Sequence, residues 1–167
     1  MNAEEKNVKK NTIMEEFAKA KKDNSLLNTL NIDELLAVAE KDQNKWLEKK
    51  TLSSIAKENF ETIKTLEVSS EIMQKWCEHL IEFRKVNEIY EFKCGVPTKM
   101  IRKKEGEPYK FSYIGVLLTV SFKDTGTQLC CLSPFNKKQY KYNYDGALFF
   151  QKITDEEKML LTALEYI

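Results

Sequence analysis

The sequence predicts an α+β fold: an N-terminal helical layer of about four helices packed with a C-terminal curled antiparallel sheet of five or six strands and a terminal helix. Two observations carry this. Apolar residues recur at helical spacing up to residue 87 and at strand alternation beyond it. The second half is also punctuated by Gly, Pro, Asn and Asp turn signals, with no βαβ alternation and no internal repeat. The expected organisation is a disordered tail over 1–10, a helical region over 11–87, and the sheet with its closing helix over 88–167, together forming one integrated domain.

In chain order, residues 1–10 are polar and have little to bury. Ile13, Met14 and Phe17 open a short helical pattern that ends before Asp23-Asn24-Ser25. Asn31 suits an N-cap, with Asp33 and Glu34 complementing the dipole of a helix running to about Lys49. Ile32, Leu36, Trp46 and Leu47 lie on its apolar face. Leu52 falls out of phase with that face, so a turn near Lys50–Ser53 separates it from a second stripe of Leu52, Ile55, Ala56, Phe60, Ile63 and Leu66. Ser69 or Ser70 caps a further helix over 70–87, with Ile72, Met73, Trp76, Leu80, Phe83 and Val86 inward.

Beyond Asn87 the period changes. A strand is expected over Ile89–Cys94, ended by Gly95 and Pro97, and a second over 98–103 before the EGEP turn at 105–108. Residues 109–122 give the strongest strand signal, rich in aromatic and β-branched types, with Gly115 as a bend or bulge. A KDTG turn at 123–126 leads back through Thr127–Leu132. Tyr140, Tyr142 and Tyr144 alternate before Asp145-Gly146, a pair suited to a type I′ hairpin that would return through Ala147–Ile153. Thr154, with Glu157 three residues on, forms a capping box for the last helix.

Composition limits the function classes. Apolar residues are 42% and charged residues 32% of 167, a globular balance. The longest fully apolar run is five residues, Leu35–Ala39, and the N-terminal sequence has no apolar core of a secretory signal, so a cytoplasmic, non-membrane protein is expected. Cys77, Cys94, Cys130 and Cys131 then read as reduced, buried thiols. Charge is unevenly placed. Residues 1–91 hold 15 basic and 18 acidic residues, 92–152 hold 11 and 4, and 153–167 hold 1 and 4. The sheet region is therefore an electropositive segment between acidic flanks.

Catalytic patterns are missing from the sequence. There is no GxGxxG, Walker loop, HExxH, GxSxG or CxxC, and the single histidine, His79, has no Ser or Cys one helical turn away. Adjacent Cys130 and Cys131 point to opposite faces of a strand and cannot easily share a metal. No enzyme activity, cofactor or metal is expected. The candidate binding residues form two basic groups along the chain. Lys99, Arg102, Lys103, Lys104 and Lys110 surround the second strand, while Lys137, Lys138 and Lys141 interleave with Tyr140 and Tyr142. Cations beside aromatic rings suit an acidic protein surface or, as the alternative, single-stranded nucleic acid. Only two of the 27 basic residues are arginine, and Lys141 falls on the strand face opposite the tyrosines, which favours a protein partner. The expectation is a protein-binding accessory, inhibitor, immunity or chaperone-like protein, able to form a homodimer through its helical half.

Overall fold

The computed structural model describes residues 42–165. The expected tail and the helices begun at Ile13 and Ile32 lie outside them, except for the end of the second. That end, Asp42–Leu47, is a 3-10 helix. The chain divides into two compact units, Ser53–Thr154 and the combination of Met1–Leu52 with Asp155–Ile167. In the smaller unit, the 3-10 helix packs with α3 (Asp155–Glu165), and the Leu52 N–H donates to Glu165 Oε1 at 3.1 Å.

The larger unit is built on one six-stranded antiparallel sheet. Its strands are β1 (Phe83–Val86), β2 (Pro97–Arg102), β3 (Lys110–Lys123), β4 (Gly126–Leu132), β5 (Gln139–Asn143) and β6 (Ala147–Lys152). Their spatial order is β1-β6-β2-β3-β4-β5, so the sheet is open, with β1 and β5 as its edges. Helices α1 (Leu52–Lys64) and α2 (Ser70–His79) cover one face. There Ile63, Trp76 and Leu80 pack with Phe83, Ile101 and Phe150. The second face carries Val86, Met100, Ile114, Leu117, Leu129, Cys131 and Phe149, over which Phe92 folds from the β1–β2 connection.

Four expectations are corrected. The sheet is neither closed nor strongly curled, and three α-helices rather than four plus a terminal one are present among the described residues. The helix expected over 70–87 stops at His79, where the Leu80 N–H donates to the Cys77 carbonyl and the Ile81 N–H to the Glu78 carbonyl. Leu80, Phe83 and Val86 are spaced like a helical stripe, yet Phe83 and Val86 belong to a strand and enter opposite cores. Residues Ile89–Glu91 form a 3-10 turn instead of a strand. Buried Glu91 explains it: its carbonyl accepts from Arg84 at 2.8 Å and its carboxylate from the Asn87 N–H at 2.9 Å, a compact knot no strand would make.

The Asp145-Gly146 hairpin is the fourth. Gly146 has positive φ but Asp145 does not, so the type I′ turn is not formed. β6 pairs with β1 and β2 instead of β5. Its Leu148-Phe149-Phe150 run is buried towards both faces, the signature of a central strand rather than of an edge hairpin. Burying each of these phenylalanines contributes roughly 1.5–3 kcal/mol, which outweighs local turn chemistry.

The β3–β4 hairpin and the break at Gly115 stand as expected. Gly115 has φ 98°, and a Cβ there would collide with the Leu132 carbonyl. Only glycine fits this point, where the β2–β3 register shifts.

Candidate functional site

Strand alternation sorts the ten candidate residues. On β2, Thr98, Met100 and Arg102 face one way while Lys99 and Ile101 face the helices. Across the β2–β3 hairpin Arg102 pairs with Lys110 and Met100 with Ser112, so two cations stand directly opposite each other on the second face. Lys104, Glu107 and Pro108 from the connecting loop, with Tyr142 from β5, complete a hollow of about 180 Å³. Ser112, Tyr113 and Ile114 also line it.

The hollow is electropositive by construction. Like charges directly opposed across an antiparallel pair repel. Among the described residues, no carboxylate forms an ion pair with Arg102, Lys104 or Lys110, Glu107 included. Burial raises the pKa of the Tyr142 phenol, Cys131 and Tyr140 add to the effect, and Arg102 opposes it. The phenol therefore stays protonated at neutral pH, a donor beside three cations. That arrangement accepts a carboxylate or a similar small anion.

The other candidates lie elsewhere. Lys99 extends under α2, donates from Nζ to the His79 carbonyl at 2.6 Å, and sits 4.0 Å from the centre of the Phe83 ring. Burial, then the Lys152 charge, lowers its pKa. It closes a helix C-terminus and is not available as a docking cation. Lys103 lies over the Tyr109 ring at 5.3 Å, and that ring belongs to the helix-covered core. Lys137 and Lys138 are exposed in the β4–β5 loop. Tyr140 shares the second face with Tyr142, and its hydroxyl accepts from Asn136 Nδ2 at 2.7 Å. Lys141 takes the opposite face, as strand parity requires.

Sequence reasoning missed Glu107, Ser112 and Met100, which line the hollow through tertiary placement. The Arg102–Lys110 pairing was within reach, because a turn at 105–108 brings these two positions together. His79 is exposed at the end of α2, its ring stacked on Phe111 at 5.8 Å. All four cysteines are free thiols, but only Cys131 is buried. Burial, and then Cys130, pushes the Cys131 thiol up to about 12. Among the described residues no group of three or more His, Cys, Asp or Glu side chains is placed to hold a metal ion. None of the described helices is long and apolar enough to cross a membrane.

The fold and site together define an α+β protein with an open antiparallel sheet and a small cationic hollow on one face. Comparison with known proteins returned no matching family model, no matching curated protein and no matching solved structure.

Proposed function

We propose that this chain is a cytoplasmic, non-enzymatic binding protein that recognises an acidic protein surface through the second face of its sheet. The observation that carries the reading is the convergence of Arg102, Lys104, Lys110 and the Tyr142 hydroxyl on one hollow. Its volume of about 180 Å³ suits one acidic side chain. Accessory, inhibitor, immunity and chaperone-like roles all fit such a surface.

Single-stranded nucleic acid is the weaker alternative. A phosphate backbone needs a continuous basic track with free rings beside it. Here Lys99 is engaged under a helix, Lys103 and Lys141 face away from the hollow, and the Tyr142 ring packs against the core. A homodimer through the helical half finds support in exposed Phe60 and Ile72. Its premise is reduced by the early end of α2.

The test is a pair of titrations by fluorescence anisotropy, one with a poly-glutamate peptide and one with an oligo-dT strand. The peptide is expected to bind, and to bind at least tenfold more weakly to the Arg102→Ala/Lys110→Ala double variant. The oligonucleotide is expected to stay weaker than about 1 μM near physiological salt. Tight oligonucleotide binding with a steep salt slope would replace the protein reading.

A further inference from the structure

We infer that β5 is a docking edge, onto which an extended acidic segment of a partner protein adds as a seventh antiparallel or parallel strand. The inference rests on the acidic-partner reading and gives it a mode. Hydrogen-bond parity locates the edge. The Ser133 N–H donates to Lys138 O, and the Tyr144 N–H to Thr127 O, both at 2.9 Å. Residues of β5 alternate between these two fixed points, so Tyr140 and Tyr142 spend their backbone groups on β4. Gln139, Lys141 and Asn143 aim theirs outward.

All three outward residues are exposed, and among the described residues their N–H and C=O groups have no partner. Six backbone groups in a row form a template for strand addition. The edge is also cationic: Lys141 sits at its centre, with exposed Lys137 and Lys138 at its start.

Charge selects the occupant. A second copy pairing β5 with β5 about Lys141 would set two Lys141 side chains directly opposite each other, which repels. An acidic strand reverses that term. Residues opposite Lys141 fall on its face of the sheet and would be Asp or Glu, while those beside Tyr140 and Tyr142 fall on the other face and would be apolar. The segment recognised is thus extended, with acidic and apolar residues in alternation.

The experiment uses the full chain and a capped seven-residue peptide of alternating Glu and Val, followed by NMR amide shifts and calorimetry. A Lys/Val counterpart serves as the charge control. A Glu/Val peptide N-methylated at its bonding positions serves as the backbone control. Binding of the Glu/Val peptide alone, centred on residues 139–143, is the expected result. Lys141→Pro removes one outward donor and no bond within the sheet, so it should weaken binding at least tenfold. Lys141→Glu keeps the backbone and should also weaken it, which covers the case in which proline disturbs the strand.

Equal binding by the N-methylated peptide would overturn the inference. So would peptide shifts centred on Arg102 and Lys110 that Lys141→Pro leaves untouched, an outcome that retains the acidic-partner reading while removing the edge. A concentration-dependent dimer lost in Lys141→Pro would make a second copy the occupant and overturn it too. Preference for an oligonucleotide over both peptides would overturn the inference together with the reading beneath it.

Discussion

The two edges of the sheet are covered to different extents. On β1, outward-pointing Phe83 is satisfied on both sides: its N–H reaches Leu80 O at 2.9 Å and its carbonyl accepts from Asn59 Nδ2 at 2.8 Å. Asn87, just beyond the strand, gives its N–H to Glu91 and takes the Tyr144 hydroxyl on its carbonyl. A buried amide on α1, a buried acid and a tyrosine thus cover both ends of this edge, while the outward backbone groups of half-buried Lys85 between them have no partner among the described residues. On β5, outward Gln139, Lys141 and Asn143 have no such cover, only lysine. Unpaired edges invite association, and lysine is a common guard against it. One edge is therefore covered at both ends by specific hydrogen bonds, and the other is left open along its length under positive charge, which admits an acidic strand and discourages a copy of itself.

The largest effect should come from breaking the knot behind β1. Arg84 and Glu91 are both buried, with a nitrogen–oxygen separation of 3.9 Å. Arg84→Ala leaves a buried carboxylate without its cation and should cost about 3–5 kcal/mol in urea unfolding. Asn59→Ala uncovers the Phe83 carbonyl and should cost about 1–3 kcal/mol. Lys141→Pro on the open edge should change stability by no more than about 0.5 kcal/mol, since the lost N–H points to solvent. A cost like that of Asn59→Ala at Lys141 would break the comparison.

Thiol chemistry gives a smaller signal away from the edges. Cys94 is exposed, whereas Cys131 is buried and its pKa raised to about 12. Labelling at neutral pH should take Cys94 first and Cys131 last, while the unfolded, unreduced chain should count four thiols.

The open edge was only partly legible in the sequence. Tyr140, Lys141 and Tyr142 read correctly as a strand with tyrosines and lysine on opposite faces, because period-2 alternation is a local property. Which neighbour that strand takes is not local. Asp145-Gly146 suggested β6, and the doubly buried Phe149-Phe150 pair carried β6 to the centre of the sheet instead. The cover over the β1 edge was hidden for a different reason. Leu80, Phe83 and Val86 fit helical spacing, and Asn59, a polar residue, lies on the buried face of α1 while Phe60 beside it is exposed. Side-chain hydrogen bonds to a distant carbonyl leave no periodic trace. At the hollow, Arg102 and Lys110 follow from the hairpin register, but Glu107 and Tyr142 required the tertiary structure.

Amide hydrogen exchange in the free protein tests the contrast most directly, because it reads each edge N–H separately. Slow exchange is expected at Phe83, Tyr140 and Tyr142, with fast exchange at Gln139, Lys141 and Asn143. Protection at Lys141 comparable to that at Tyr140 and Tyr142 would contradict it, showing that the β5 edge is already occupied in the free protein.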